Sequence, residues 1–105
     1  MFVAVGLVTR EFCAYQTMDI KCDADRVVVM ETALNGRMAD GQCVSSLHGY
    51  IGCQKDVLDL VDLRCSGRHG CKMELPDKTL DLATPCPKDL VRFLMVSYRC
   101  LQGWS

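Results

Sequence analysis

The chain has 105 residues, half of them hydrophobic and 24% charged, with a formal net charge of −1. This is the length of one globular domain with a modest core, and the composition excludes a disordered tail. Arg and Lys stand singly, without a basic stripe, which argues against nucleic acid as a partner.

The opening "MFVAVGLVTREF" has no positively charged leading region and no small-residue cleavage site before Cys13, so it does not read as a signal peptide. Residues 1–12 are expected to form an N-terminal extension or strand, residues 13–100 the domain, and residues 101–105 a C-terminal tail. The expectation is a domain excised from a larger multidomain protein, which would carry any leader or anchor. No apolar stretch is long enough to span a bilayer, so direct membrane insertion is not expected.

"TMDIKC" alternates, with Met18, Ile20 and Cys22 on one side and Thr17, Asp19 and Lys21 on the other, the pattern of a half-buried strand. "RVVVMET" at 26–32 is β-branched and reads as a second, more buried strand. In "ALNGR", Asn35-Gly36 predicts a tight turn, since both residues tolerate positive φ. Such a turn would either leave Arg37 in solvent or lay Arg37 and Asn35 at the mouth of a binding site.

"KDVLDLVDLRC" has helical period: Val57, Leu58, Leu60, Val61 and Cys65 form an apolar stripe, with Asp59 and Asp62 opposite. Asp56 suits the first turn, Arg64 the last, and Gly67 the stop. "CSGRHGC" makes a small loop between Cys65 and Cys71, "CKMEL" a short strand and "TPCPKD" a proline-bounded turn. "FLMVSYRCL" alternates, placing Leu94, Val96, Tyr98 and Cys100 on one face. The fold class is therefore α+β: a compact, disulfide-stapled, antiparallel, sandwich-like domain with one α-helix and long loops.

Eight cysteines, Cys13, Cys22, Cys43, Cys53, Cys65, Cys71, Cys86 and Cys100, are spread over the domain without a CxxC pair. An even number at such spacing predicts disulfides rather than a metal site, and hence an oxidising, secreted or cell-surface location. Cys65 and Cys71 are close enough to bridge locally, and Cys22 and Cys100 both fall on the apolar faces of their strands. No nucleophile–base arrangement, glycine-rich phosphate loop or carboxylate pair appears, so neither an enzyme, a cofactor nor a metal is expected. His69 reads as an exposed loop residue.

The eight-cysteine order, "ALNGR" before the third cysteine, the helix before the fifth, "TPC" at the seventh and "RFLMVSYRC" at the eighth resemble the sea-urchin-egg-lectin-type domain. This rhamnose- or galactose-binding lectin domain occurs in egg lectins and in latrophilin-type adhesion receptors. The resemblance spans residues 13 to 100. It implies pairing of Cys13 with Cys43, Cys22 with Cys100, Cys53 with Cys86 and Cys65 with Cys71. It also implies a carbohydrate-binding, non-catalytic domain, with Asn35, Arg37, Lys88, Asp89 and Arg92 as candidate sugar contacts.

The chain departs from the family at several contact positions. Ala14 stands where the family has a glutamate after the first cysteine, Leu34-Asn35 replaces the Asn-Tyr of "ANYGR", and Thr84 replaces the aspartate of "DPC". Arg92 matches the lysine of "KYL" and Phe93 its tyrosine. The recognition chemistry is thus altered on a retained scaffold. The expected partner is a galactosyl or rhamnosyl glycan or, alternatively, an extracellular protein bound by the same fold.

Overall fold

Four disulfides fix the chain: Cys13–Cys43, Cys22–Cys100, Cys53–Cys86 and Cys65–Cys71, leaving no free thiol. These are the pairs that the family resemblance implies, out of more than a hundred combinations that eight cysteines allow. The structure, a computed structural model, describes residues 6–37, 43, 52–82, 86 and 92–102.

The described residues form six strands and two short helices: β1 (Val8–Cys13), β2 (Thr17–Lys21), β3 (Arg26–Gly36), β4 (Gln54–Asp56), α1 (Leu58–Cys65), β5 (Gly70–Glu74), α2 (Lys78–Leu82) and β6 (Phe93–Gln102). Strands β1, β6, β3 and β4 make one antiparallel sheet in that order, and β2 pairs antiparallel with β5 in a second. The sheet thus begins at Val8 and runs to Gln102. One core joins both sheets and both helices: Phe12, Met18, Ile20, Val28, Met30, Val61, Met73, Leu80, Leu94 and Val96 all belong to it. The alternations read from "TMDIKC" and "FLMVSYRCL" correspond to this burial, since Met18, Ile20, Leu94, Val96 and Tyr98 face the core. Phe93 is buried on the opposite face of β6.

Three expectations are corrected. The described residues hold two helices rather than one. α2 is a single turn, started by Asp77, whose Oδ1 accepts from the backbone N–H of Thr79 at 2.9 Å and of Leu80 at 3.1 Å. β4 was not expected either; its three residues are all exposed and carry no alternating apolar pattern.

The third correction concerns Asn35-Gly36, which is not a tight turn. Both residues continue β3, with Asn35 opposite Lys55 and Leu94, and Gly36 opposite Gln54 and Phe93. Gly36 is needed for a close approach instead. Its φ is +151°, and a Cβ there would press on the Cys53 carbonyl oxygen and stand 2.8 Å from the Gln54 Cα.

Strand β3 changes phase halfway. Its pairing with β6 runs Met30 to Tyr98 and then Thr32 to Ser97, so Glu31 is the extra residue of a β-bulge. Before the bulge Val28 and Met30 face the core; after it Ala33 and Asn35 do. The outer edge of β3 is covered by the flanks of α1. The Ser66 hydroxyl accepts from the Met30 N–H at 3.0 Å, Gly67 N–H donates to the Val28 carbonyl at 2.8 Å, and Val57 N–H donates to the Ala33 carbonyl at 2.9 Å. α1 itself buries Val61 and Cys65, exposes Asp59 and Asp62, starts with the Asp56 carboxylate accepting from Leu58 N–H at 2.9 Å, and ends before Gly67 at φ 85°.

Candidate recognition site

The bulge at Glu31 decides where Asn35 points. Without a phase change, Thr32 and Leu34 would take the inward positions; with it, Asn35 turns to the core face and lies 4% exposed under α2. Its amide Nδ2 donates to the Leu80 carbonyl at 3.4 Å and to Asp81 Oδ1 at 3.3 Å. The second oxygen of the same carboxylate, Oδ2, lies 3.3 Å from Arg92 Nη2. Asn35 from β3, Asp81 from α2 and Arg92 from just before β6 therefore meet at one carboxylate. The Arg92 and Asp81 side chains retain 17% and 23% exposure, so the pair is partly open to water.

The groups in this arrangement are of the kind that hydrogen-bond hydroxyls. A carboxylate offers about four lone-pair positions and a guanidinium five donors, and Asn35 and Arg92 use two directions of the Asp81 carboxylate. Planar charged groups held by each other are already oriented, so little side-chain freedom is lost when a hydroxyl joins them.

Arg37 is buried. It is 3% exposed, its N–H donates to the Cys53 carbonyl at 2.8 Å and its carbonyl accepts from Gly52 N–H at 2.7 Å. The strand pairing of Asn35-Gly36 thus carries Arg37 into the fold beside the Cys53–Cys86 disulfide rather than out into solvent. Lys88 and Asp89 lie outside the described residues. Of the five expected contacts, Asn35 and Arg92 are brought together; the residue that joins them, Asp81, was not singled out from the sequence. The one available signal was Asp77 directly after Pro76, a helix-start residue that predicts a turn of helix over the next residues and so places Asp81 on it.

His69 is exposed, and its Nδ1 sits 2.7 Å from the Arg26 carbonyl. Among the described residues no group of three or more His, Cys, Asp or Glu side chains is placed to hold a metal ion, and no helix is long and apolar enough to cross a membrane. No protein-family model matches the chain, and no curated protein matches it.

Proposed function

We propose that the chain is a non-catalytic carbohydrate-recognition domain of the sea-urchin-egg-lectin type. It would belong to a secreted or cell-surface protein and bind galactosyl or rhamnosyl glycans at the Asn35–Asp81–Arg92 cluster. The observation that carries this reading is the convergence of Asn35, from β3, and Arg92, from just before β6, on the partly open Asp81 carboxylate of α2. Vicinal hydroxyls present paired donors and acceptors that match a carboxylate–guanidinium pair. The four disulfides fit folding in an oxidising compartment. A small, solvated ligand held by few groups binds weakly at one site, and useful avidity comes from several linked copies.

A second reading, a protein-interaction module on the same fold, is favoured by the burial of Asn35 and Arg37 at 4% and 3% exposure, which leaves fewer side chains to reach a small sugar. The two readings separate on a glycan array probed with a streptavidin-linked tetramer of the oxidised domain. The lectin reading expects retention on galactosyl- or rhamnosyl-terminated glycans and its loss in Asp81→Asn. A folded tetramer that no glycan retains would move the function to a protein partner.

A further inference from the structure

One residue stands in a backbone conformation that its side chain disfavours. Tyr15, in the turn between β1 and β2, has φ 67°, in the left-handed region where a Cβ crowds the following carbonyl. The residue is 84% exposed, so packing of the ring inside the fold does not account for that conformation. The backbone around it is held firmly. Tyr15 N–H donates to the Leu75 carbonyl at 3.0 Å, Leu75 N–H returns to the Gln16 carbonyl at 3.0 Å, and Gln16 N–H donates to the Cys13 carbonyl at 3.2 Å. The Gln16 side chain accepts from Cys13 N–H at 2.7 Å, and Cys13 is tied to Cys43. The ring is therefore presented to solvent on a rigid mount, in a conformation the surrounding bonds enforce.

The mount stands at the same end of the large sheet as the polar cluster. Strand β1 leaves the sheet at Cys13, opposite Phe93, which is the residue after Arg92. Leu75, which accepts the Tyr15 hydrogen bond, directly follows β5 and stands two residues before the Asp77 that starts the helix carrying Asp81. The exposed Tyr15 ring and the partly open Asp81–Arg92 pair thus stand at the same end of the large sheet.

Resting on the glycan-binding reading, we infer that Tyr15 is the aromatic platform of that site, and that it selects a galactosyl ring. A pyranose has a hydroxyl rim and an apolar C–H face. The rim suits the Asp81–Arg92 pair, and the C–H face suits the electron-rich face of a tyrosine ring. In a galactoside the axial 4-hydroxyl leaves the C3, C4 and C5 hydrogens together on one side, which makes the most continuous patch for a ring to cover.

The test is a titration of the isotope-labelled, oxidised domain with methyl β-galactoside and, separately, methyl α-rhamnoside, run beside Tyr15→Phe, Tyr15→Asn and Asp81→Asn. Phenylalanine keeps the ring; asparagine removes it and tolerates the left-handed backbone. The inference expects cross-relaxation between the sugar H3, H4 and H5 protons and the Tyr15 ring. It also expects affinity within about twofold for Tyr15→Phe and a loss of about fivefold for Tyr15→Asn, the scale of one aromatic contact. If Tyr15→Asn titrates like the parent while Asp81→Asn abolishes binding, the platform is overturned and glycan binding stands. If the parent binds only rhamnosides, the galactosyl selection fails. If the parent binds no sugar, both the platform and the glycan reading fall.

Discussion

Two carboxylates one turn apart bracket α2. Asp77 Oδ2 lies 2.8 Å from Arg64 Nη1, and its Oδ1 caps the helix at Thr79 and Leu80. Asp81 reaches Asn35 and Arg92 instead. Burial pushes the Asp77 carboxyl up, but the Arg64 hydrogen bond, the Leu80 and Thr79 amides and the Arg64 charge together hold it below the ordinary carboxylate value. A depressed folded value stabilises the fold above the unfolded pKa, near 4, and that contribution fades as pH falls through the folded value. Asp77→Ala should therefore lower stability by about 1 kcal/mol at neutral pH, the usual cost of a lost cap. The gap to the parent should narrow below about pH 4. Urea unfolding of both proteins at neutral and acid pH checks this, and because Asp77 holds the turn that carries Asp81, sugar affinity should fall with it.

At the scale of elements, the strength of β3 lies in its irregularities. Gly36 lets β4 close against the strand end at a distance that no side chain permits. Gly36→Ala should cost on the order of 3 kcal/mol, since both the positive φ and the backbone contacts oppose a Cβ. A shift in the denaturant midpoint without a change in slope would register it. The sequence made the regular parts readable: alternation marked β2 and β6, β-branching marked the first half of β3, and the apolar stripe marked α1. It did not mark the bulge. "RVVVMETALNG" carries no residue that announces where the phase changes; Glu31 is held there by its ion pair to Arg99 at 3.0 Å and by the neighbouring Met30–Ser66 hydrogen bond, both contacts distant in sequence. For the same reason the inward turn of Asn35 is not legible, and Asn-Gly reads as a tight turn when pairing on both edges makes it strand. β4 has no pattern of its own and exists only because β3 offers an edge.

At the scale of the molecule, a modest core is shared by a four-stranded sheet, a two-stranded sheet and two short helices, and the disulfides restrict what the unfolded chain can do. Cys22–Cys100 spans a sequence separation of 78 and ties the end of β2 to β6; Cys65–Cys71 spans 6. Loop-closure entropy then ranks them: replacing the first pair by alanines should cost about 4.5 kcal/mol and the second about 2.4 kcal/mol. Comparison of their unfolding midpoints with the parent tests that order, and equal losses would show that local packing, not chain restriction, sets the contribution of each bridge.

The bulge, the single-turn helix and the approach to β6 together bring Asn35, Asp81 and Arg92 to the site proposed to bind a sugar. The most direct measurement is an amide-shift titration of the labelled, oxidised domain with galactose, rhamnose and β-galactosides, up to concentrations on the order of tens of millimolar, suited to a weak single site. The account predicts saturable shifts concentrated at Asn35, Asp81 and Arg92, absent in Asp81→Asn. A well-folded sample that shows no shifts with any of these sugars, or saturable shifts away from the cluster that persist in Asp81→Asn, would contradict it.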